Sequence, residues 1–449
     1  MNPRLSATLV SGAVVVLALV SLALLARNIL AIPALVPLDP NEGWNAAHAL
    51  AAMAGHGLYP PPSALMVNNY PPLSFYLVGT IARLGTDTII AGRWIALAAF
   101  LATVAGIAAV LRLMDCRPRA MALGALFFAA LLLITSDYVG MDDPQLLGHA
   151  VQVAALLLLL RGRITIAAAL FAASLFIKHN LAALPLAAGL WLLSENRPAG
   201  VRFLLWGLAF GLSGLVLFQL GFGTSLIAQL ASPRLSSLAN VETAITHLWW
   251  GVLPVIALAG LTPNRHSLFC FLYAGLALLL GLFFAAGDGV DANAFFDLGI
   301  ALSLGLGLAV EGRRPWLAAT SALPLLVFLA ANFQDNNFFF TRGFAQESRH
   351  DIAFLQSRPG PALCDQLSLC LWAGKGAAVD VFNVGEAIKT GAHDPAPLIG
   401  MIAGHHFATL QLTDMDGLGP DVRRAIEKNY RADHSDDNGA FLIPVRPAP

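Results

Sequence analysis

Apolar runs recur through the first three quarters of this chain so closely that they leave little room for any other architecture. They fall near residues 9–30, 88–111, 119–135, 145–160, 164–177, 181–193, 203–221, 247–262, 267–286, 298–310 and 316–331. A membrane-spanning helix needs about 20 apolar residues, because hydrocarbon leaves any unpaired backbone group unsatisfied. The pattern predicts an α-helical polytopic membrane protein with about eleven transmembrane helices, several short enough to be broken or tilted. Composition agrees: 57% of residues are hydrophobic and 12% charged, where a soluble domain carries roughly 25% charge. A formal net charge of −1 gives no electrostatic footing for nucleic acid. The first run, after Arg4, outlasts the roughly 7–15 apolar residues of a signal peptide and reads as a first span.

The arginines set sidedness. Arg4, then Arg112, Arg117 and Arg119, then Arg161 and Arg163, Arg197 and Arg202, Arg265, and Arg313 with Arg314 occupy every second loop. The excess of positive charge on cytoplasmic loops places these inside the cell. The alternate loops hold Asp39, Glu42, Asp87, Asp137, Asp142, Asp143, Glu242, Asp288, Asp291 and Asp297, and are expected to be periplasmic. Counting Pro71–Leu84 as a span would invert every later loop. That segment and Asn41–Ala54 are therefore expected as interfacial helices on the outer membrane surface, within a long first periplasmic loop.

Beyond residue 331 charge, histidine and turn residues rise. The chain divides into a transmembrane part, 1–331, and a small periplasmic α/β domain, 332–449. Ala377–Phe382 and Phe407–Leu412 read as buried strands, and Arg342–Gln356 and Asp421–Tyr430 as helices. Cys116 and Cys270 lie in or beside spans. Cys364 and Cys370 sit together in the polar region, where a disulfide and two free thiols are equally compatible with their spacing.

Four constellations carry chemistry. In Asp39-Pro40-Asn41-Glu42, just past the first span, a carboxylate at the water boundary suits a general base for an acceptor hydroxyl. The same residues are a helix-start signature, with Asp as N-cap and Pro at the first helical position. Asp142-Asp143-Pro144 puts two acids together near hydrocarbon, so a cation, a substrate or a basic residue should stand opposite. His149 follows into the next helix, where a satisfied core histidine is the plainer reading. Lys178-His179-Asn180 holds the only lysine of the membrane region, and a cation there would stabilise charge growing on a leaving phosphate. Arg93 and Arg234 are candidates for the same role. Asn69 and Tyr70, late in the first loop, offer hydrogen bonds to a sugar, and Asp291 borders the same expected pocket. Phosphate-binding P-loops, His-Glu-x-x-His helices and paired CxxC motifs are absent from the sequence.

The order of these motifs resembles a known group. The acidic Asp39/Glu42 motif is followed by Gly57-Leu58-Tyr59, Asn69-Tyr70-Pro71-Pro72-Leu73 and Ala91-Gly92-Arg93. Asp142-Asp143-Pro144 with His149 and Lys178-His179-Asn180 come next. Together they resemble the GT-C superfamily of membrane glycosyltransferases, specifically the bacterial relatives of protein O-mannosyltransferases and of the lipid A aminoarabinose transferase. The resemblance implies transfer of a sugar from a polyprenyl-phosphate carrier to an extracytoplasmic acceptor (glycolipid, polysaccharide or protein), usually with inversion, at the bacterial inner membrane. It places the catalytic carboxylate at Asp39 or Glu42 and leaves open which. Lys178, His179, Arg93 and Arg234 would meet the donor phosphate. Asn69, Tyr70, Asp142, Asp143, His149, Asn180 and Asp291 would line the acceptor or sugar side. No cofactor is assigned, though a divalent cation is compatible with the acids. A transporter or lipid flippase is the alternative. It would place charge at mid-membrane depth and often carry inverted repeats, and neither pattern is visible here.

Overall fold

A computed structural model describes residues 3–312, 315–332 and 342–445. Arg313 and Arg314, the last pair in the arginine pattern, lie outside the described residues. The first part is helical throughout: α1 (Pro3–Ala31), α2 (Pro40–Ala54), α3 (Leu73–Ala82), α4 (Thr88–Leu113), α5 (Pro118–Thr135), α6 (Gln145–Leu160), α7 (Ile164–Leu175), α8 (Ala183–Glu195) and α9 (Arg197–Phe222). It continues through α10 (Ser225–Leu230), α11 (Leu238–Thr246), a 3-10 turn His247–Gly251, α12 (Val252–Ala259), α13 (Arg265–Ala285), α14 (Phe296–Glu311), α15 (Pro315–Thr320) and α16 (Leu323–Ala331).

Seven described segments are long and apolar enough to cross a membrane: Arg4–Ala31, Thr88–Leu113, Pro118–Thr135, Arg197–Phe222, Leu238–Ala259, Arg265–Ala285 and Ala292–Glu311. The other expected spans are real apolar helices but shorter, Gln145–Leu160, Ile164–Leu175, Ala183–Glu195 and Pro315–Ala331. Two boundaries move. The span expected to start near 247 begins at Leu238, and the last run is broken in two. The bundle core is α14, buried between α4, α5, α12 and α13. At the other extreme, α9 exposes Leu205, Leu208, Leu217 and Leu220, an apolar surface that lipid would cover.

One end of the bundle gathers the arginine loops. Arg117 donates from its backbone N–H and Nε to Glu311, joining the start of α5 to the end of α14. Trp191 near the end of α8 donates to the Arg265 carbonyl at the start of α13. The acidic loops lie at the opposite end, where α2 and α3 pack on each other and on α4. The two helices expected in the first loop are thus present.

The C-terminal domain rests on that acidic end. It contains α17 (Arg342–Ser357), β1 (Ala362–Cys364), α18 (Leu367–Trp372), α19 (Val381–Lys389), α20 (Ala396–Ala403), β2 (Thr409–Leu412), α21 (Pro420–Asn429), β3 (Tyr430–Asp436) and β4 (Gly439–Pro444). The sheet order is β1-β2-β4-β3, parallel between β1 and β2 and antiparallel elsewhere. Three of the four expected elements appear, as α17, β2 and α21. Ala377–Phe382 is not a strand. Residues 377–380 are extended but lie in no ladder, and Asp380 donates its backbone N–H to Leu65 of the first loop while its side chain caps α19 at Asn383. Val379 and Val381 bury against Val67, so the run is apolar because it packs on the membrane part rather than within a sheet. Cys364 and Cys370 form a disulfide that ties β1 to α18.

Candidate active site

The acidic end is organised around an ion pair with no access to water. Glu42, in the first turn of α2, and Arg93, early in α4, are both 0% exposed. Arg93 donates twice to Glu42, at 2.7 and 2.6 Å, and three times to the carbonyls of Ile32, Ala34 and Val36. Those five bonds use every N–H that a guanidinium has. Glu42 also accepts from the backbone N–H groups of Leu38 and Asp142. Each of its oxygens therefore receives two donors. The pair fastens the chain leaving α1 to α2, α4 and the 136–144 loop. Two sequence expectations meet an obstacle here: Arg93 has no donor left for a phosphate, and Glu42 has no lone pair directed at solvent.

Asp39 differs. It is the N-cap of α2 and accepts from Asn41 N–H at 2.8 Å, with Pro40 at the first helical position. It keeps partial exposure. Burial is the main cause that raises its pKa to about 6; the Asn41 bond opposes it, and the charges of Asp143, Glu42 and Asp291 add to it. A carboxylate that titrates near neutrality and can still be reached has the properties of a general base.

Asp142 is almost sealed, at 3% exposure. Gly92 makes the space: a Cβ there would overlap the Asp142 carboxylate. Burial first, then Glu42 and Asp143, push its pKa well above the usual carboxylate range. Its Oδ2, the Asn45 Oδ1 and the Ser74 Oγ are buried without a protein partner around a small space of about 10 Å³. Room for about one water explains these orphans.

Asp143 takes the opposing cation that the sequence called for. Lys178 Nζ lies 2.9 Å from its Oδ1 and 3.1 Å from Oδ2, both side chains being buried, and stands 4.6 Å above the Tyr70 ring. Burial works to lower the Lys178 pKa, but Asp143 and Tyr70 outweigh it and the net shift is upward. Lys178 is thus charged, with that charge matched. His179 is exposed beside it. The walls around it lower its pKa, and the nearby cations Lys178 and Arg234 lower it further. Arg234 is half-buried, and its contacts are an amide and a ring: Nη2 reaches Asn383 Oδ1 at 3.4 Å and the guanidinium lies 5.3 Å from the Phe382 ring. Asn69 donates to the same Asn383 oxygen at 3.2 Å.

Asn383 exposes what sequence reasoning missed. The C-terminal domain takes part in the site through the start of α19. Trp44 of α2 donates to Asp380 Oδ2 at 2.8 Å, and Asn383 donates to the same oxygen. On the other flank of α2, Gly43 is required because a Cβ would overlap the backbone of Leu367 and Ser368 in α18. Nothing in the sequence spacing links residue 44 to residue 380. Only the glycine beside Glu42 hinted at a close neighbour.

The remaining expected residues separate. His149 is fully buried, its Nε2 3.0 Å from Gln145 Nε2 and its ring against Phe296, as a core histidine. Asn180 is half-buried with its Oδ1 unpartnered. Asp291 lines a cavity of about 710 Å³ between α1, α5, α11 with the 3-10 turn that follows it, α14 and α16, together with Asp137, Asp288 and Arg27. The acidic end therefore brings together Asp39, Asp143, Lys178, His179, Arg234, Asn69 and Tyr70. Glu42, Arg93, Asp142 and His149 stand behind them.

No protein-family model matches the sequence, and no curated protein matches it. Among solved structures, the chain is similar to ArnT from Cupriavidus metallidurans in the apo state. The TM-score is 0.64 at 12% sequence identity, over 96% of this chain and 98% of that one. It is likewise similar to the same protein bound to undecaprenyl phosphate, with TM-score 0.60, 13% identity, and 98% and 99% coverage. At that identity the likeness speaks for architecture, and over nearly the full length of both chains it shows an ArnT-like fold, here with seven described helices long and apolar enough to cross a membrane.

Proposed function

We propose that this protein is a membrane glycosyltransferase that moves a sugar from a polyprenyl-phosphate-linked donor to the hydroxyl of an extracytoplasmic acceptor, with inversion. The observation that carries this reading is Asp39, a reachable carboxylate with a pKa raised to about 6, on the end of the bundle that also holds Arg234 and Lys178. The acceptor oxygen attacks the anomeric carbon as Asp39 takes its proton. The bond from that carbon to the phosphate oxygen breaks, and the polyprenyl phosphate leaves with the electron pair. One displacement inverts the centre. Arg234, held by the Asn383 amide and the Phe382 ring, is the main stabiliser of the leaving phosphate, with His179 beside it and Lys178 beneath. Asn69 offers an amide to the sugar, and Asn383, whose oxygen accepts from Asn69 and Arg234, holds both in place. Glu42 and Arg93 hold the end of α1 and the start of α2 in place rather than touching substrate.

The fold supports a lipid-borne donor, since a solved relative in architecture is described as bound to undecaprenyl phosphate. The alternation of arginine and acidic loops supports a bacterial inner-membrane location with the C-terminal domain in the periplasm, where no nucleotide-sugar pool exists. The test is transfer from radiolabelled polyprenyl-phosphate sugars to membrane acceptors. Wild type should transfer label, Asp39→Asn should not, and Arg234→Ala should need much more donor. Consumption of no donor by wild type, or full activity in Asp39→Asn, would remove this reading.

A further inference from the structure

The 710 Å³ cavity has a split lining. Leu24, Trp249, Trp250, Phe296 and Phe328 form its apolar walls. Asp137, Asp288 and Asp291 stand on its polar side with Arg27 as the lining cation. Three carboxylates stand against one arginine, so the lining carries a net negative charge; Asp288 accepts from Asn240 Nδ2 at 2.7 Å, and His247 also lines the cavity. The volume lies within the roughly 300–1,000 Å³ of small-ligand sites. Gln145 donates to the Asn293 carbonyl at 3.2 Å and the Asp142 N–H donates to Glu42 at 3.1 Å, which ties the turn carrying Asp291 to the loops carrying Asp143 and Asp39, so a molecule seated here has its polar end towards the base. A phosphate brought to this side would meet like charge, whereas Arg234 and Lys178 offer it opposite charge elsewhere. Arg234 does not line the cavity; it packs against Gly287, on the loop that walls it.

We infer that this cavity holds the acceptor, and that the acceptor is an amphiphile with a hydroxylated, non-anionic head. The assignment to the acceptor rests on the transfer reaction proposed above, while the charge preference rests on the cavity alone. Trp249 and Trp250 make the cavity readable by fluorescence. The protein, held in amphipol, is titrated with dodecyl maltoside brominated along its chain and, separately, with dodecyl phosphate brominated in the same way. The maltoside should quench at a concentration at least about tenfold lower than the phosphate, because two carboxylates repel the phosphate in a site poorer in water than bulk. Replacing Trp249 and Trp250 with Phe should remove the saturable part of the quenching, while the exposed Trp94, Trp206 and Trp316 keep a background common to both probes. Asp288→Asn with Asp291→Asn should bring the two probes together. Equal or tighter binding of the phosphate would overturn the inference, as would quenching that ignores Trp249 and Trp250. Undecaprenyl phosphate should leave the bound maltoside in place; displacement would make the cavity the donor's. Transfer is not measured in this titration. A failed transfer assay therefore bears on the proposed reaction alone, and a failed titration on the acceptor class alone.

Discussion

Glu42→Gln separates the two acids of the first motif. Glu42 receives four hydrogen bonds, two from Arg93 and one each from Leu38 and Asp142 N–H, with no exposed surface. The amide nitrogen of glutamine would turn a donor towards two of those donors, and Arg93 would keep its charge in a dry site. Losing one partner of a buried pair costs about 3–5 kcal/mol, a large share of the roughly 5–15 kcal/mol that holds a typical domain. The conservative Arg93→Lys should also be costly. A lysine has three donors to replace five bonds and lacks the planar fork. Unfolding in mixed micelles titrated with sodium dodecyl sulfate, followed by tryptophan fluorescence, reads the loss. Asp39→Asn should unfold within about 1 kcal/mol of wild type, because its cap bond to Asn41 can be kept by the asparagine oxygen. The expected outcome is therefore a destabilised Glu42→Gln and an inactive but stable Asp39→Asn. A Glu42→Gln protein of wild-type stability that is silent in transfer would refute the reasoning and make Glu42 the base.

Three further outcomes follow from the same geometry. The Asp39 pKa is raised to about 6, so the base is protonated and idle below that pH. A plot of kcat/KM should be flat above pH 6 and fall about tenfold per unit below it; Asp291→Asn removes one of the charges that raise this pKa and should move the limb to lower pH. Arg234→Ala should raise the KM for donor more than tenfold with little change in melting, and Arg234→Lys should recover part of it, consistent with a charge-assisted contact. Gly43→Ala should loosen the C-terminal domain, since the added methyl overlaps the backbone at Leu367 and Ser368; limited proteolysis of the intact chain would show faster cleavage between α16 and α18, and unchanged cleavage would count against close docking there.

How much of this was written in the sequence follows from range. Helices of the bundle were legible because a bilayer demands long apolar runs and a helix satisfies its own backbone, so run length and position carry the information. The parting of arginine loops and acidic loops to opposite ends of the bundle was legible for the same local reason, through arginines that avoid crossing. The cap at Asp39-Pro40 and the helices at 40–54 and 73–82 were readable within a few residues. Asp142-Asp143 announced that a cation was needed, and the lysine at 178 was its partner.

Tertiary structure alone distinguished Asp39 from Glu42, because the difference is made by Arg93, 51 residues away, and by the backbone N–H groups of Leu38 and Asp142. It likewise spent all five Arg93 N–H groups on Glu42 and the 32–36 backbone, and set Arg234, in the sequence one arginine in a short loop, beside Asn383. The Ala377–Phe382 run was misread as a strand since burial against another part of the chain looks, residue by residue, like burial within a sheet. The contribution of Asp380 and Asn383 was invisible for the same reason: a hydrogen bond spanning 336 residues leaves no period or spacing to detect. What the sequence determined is what local physics imposes, namely which segments lie in hydrocarbon and where helices start. Which carboxylate stays reachable depends on what every distant segment has already bonded, and only the assembled bundle fixes that.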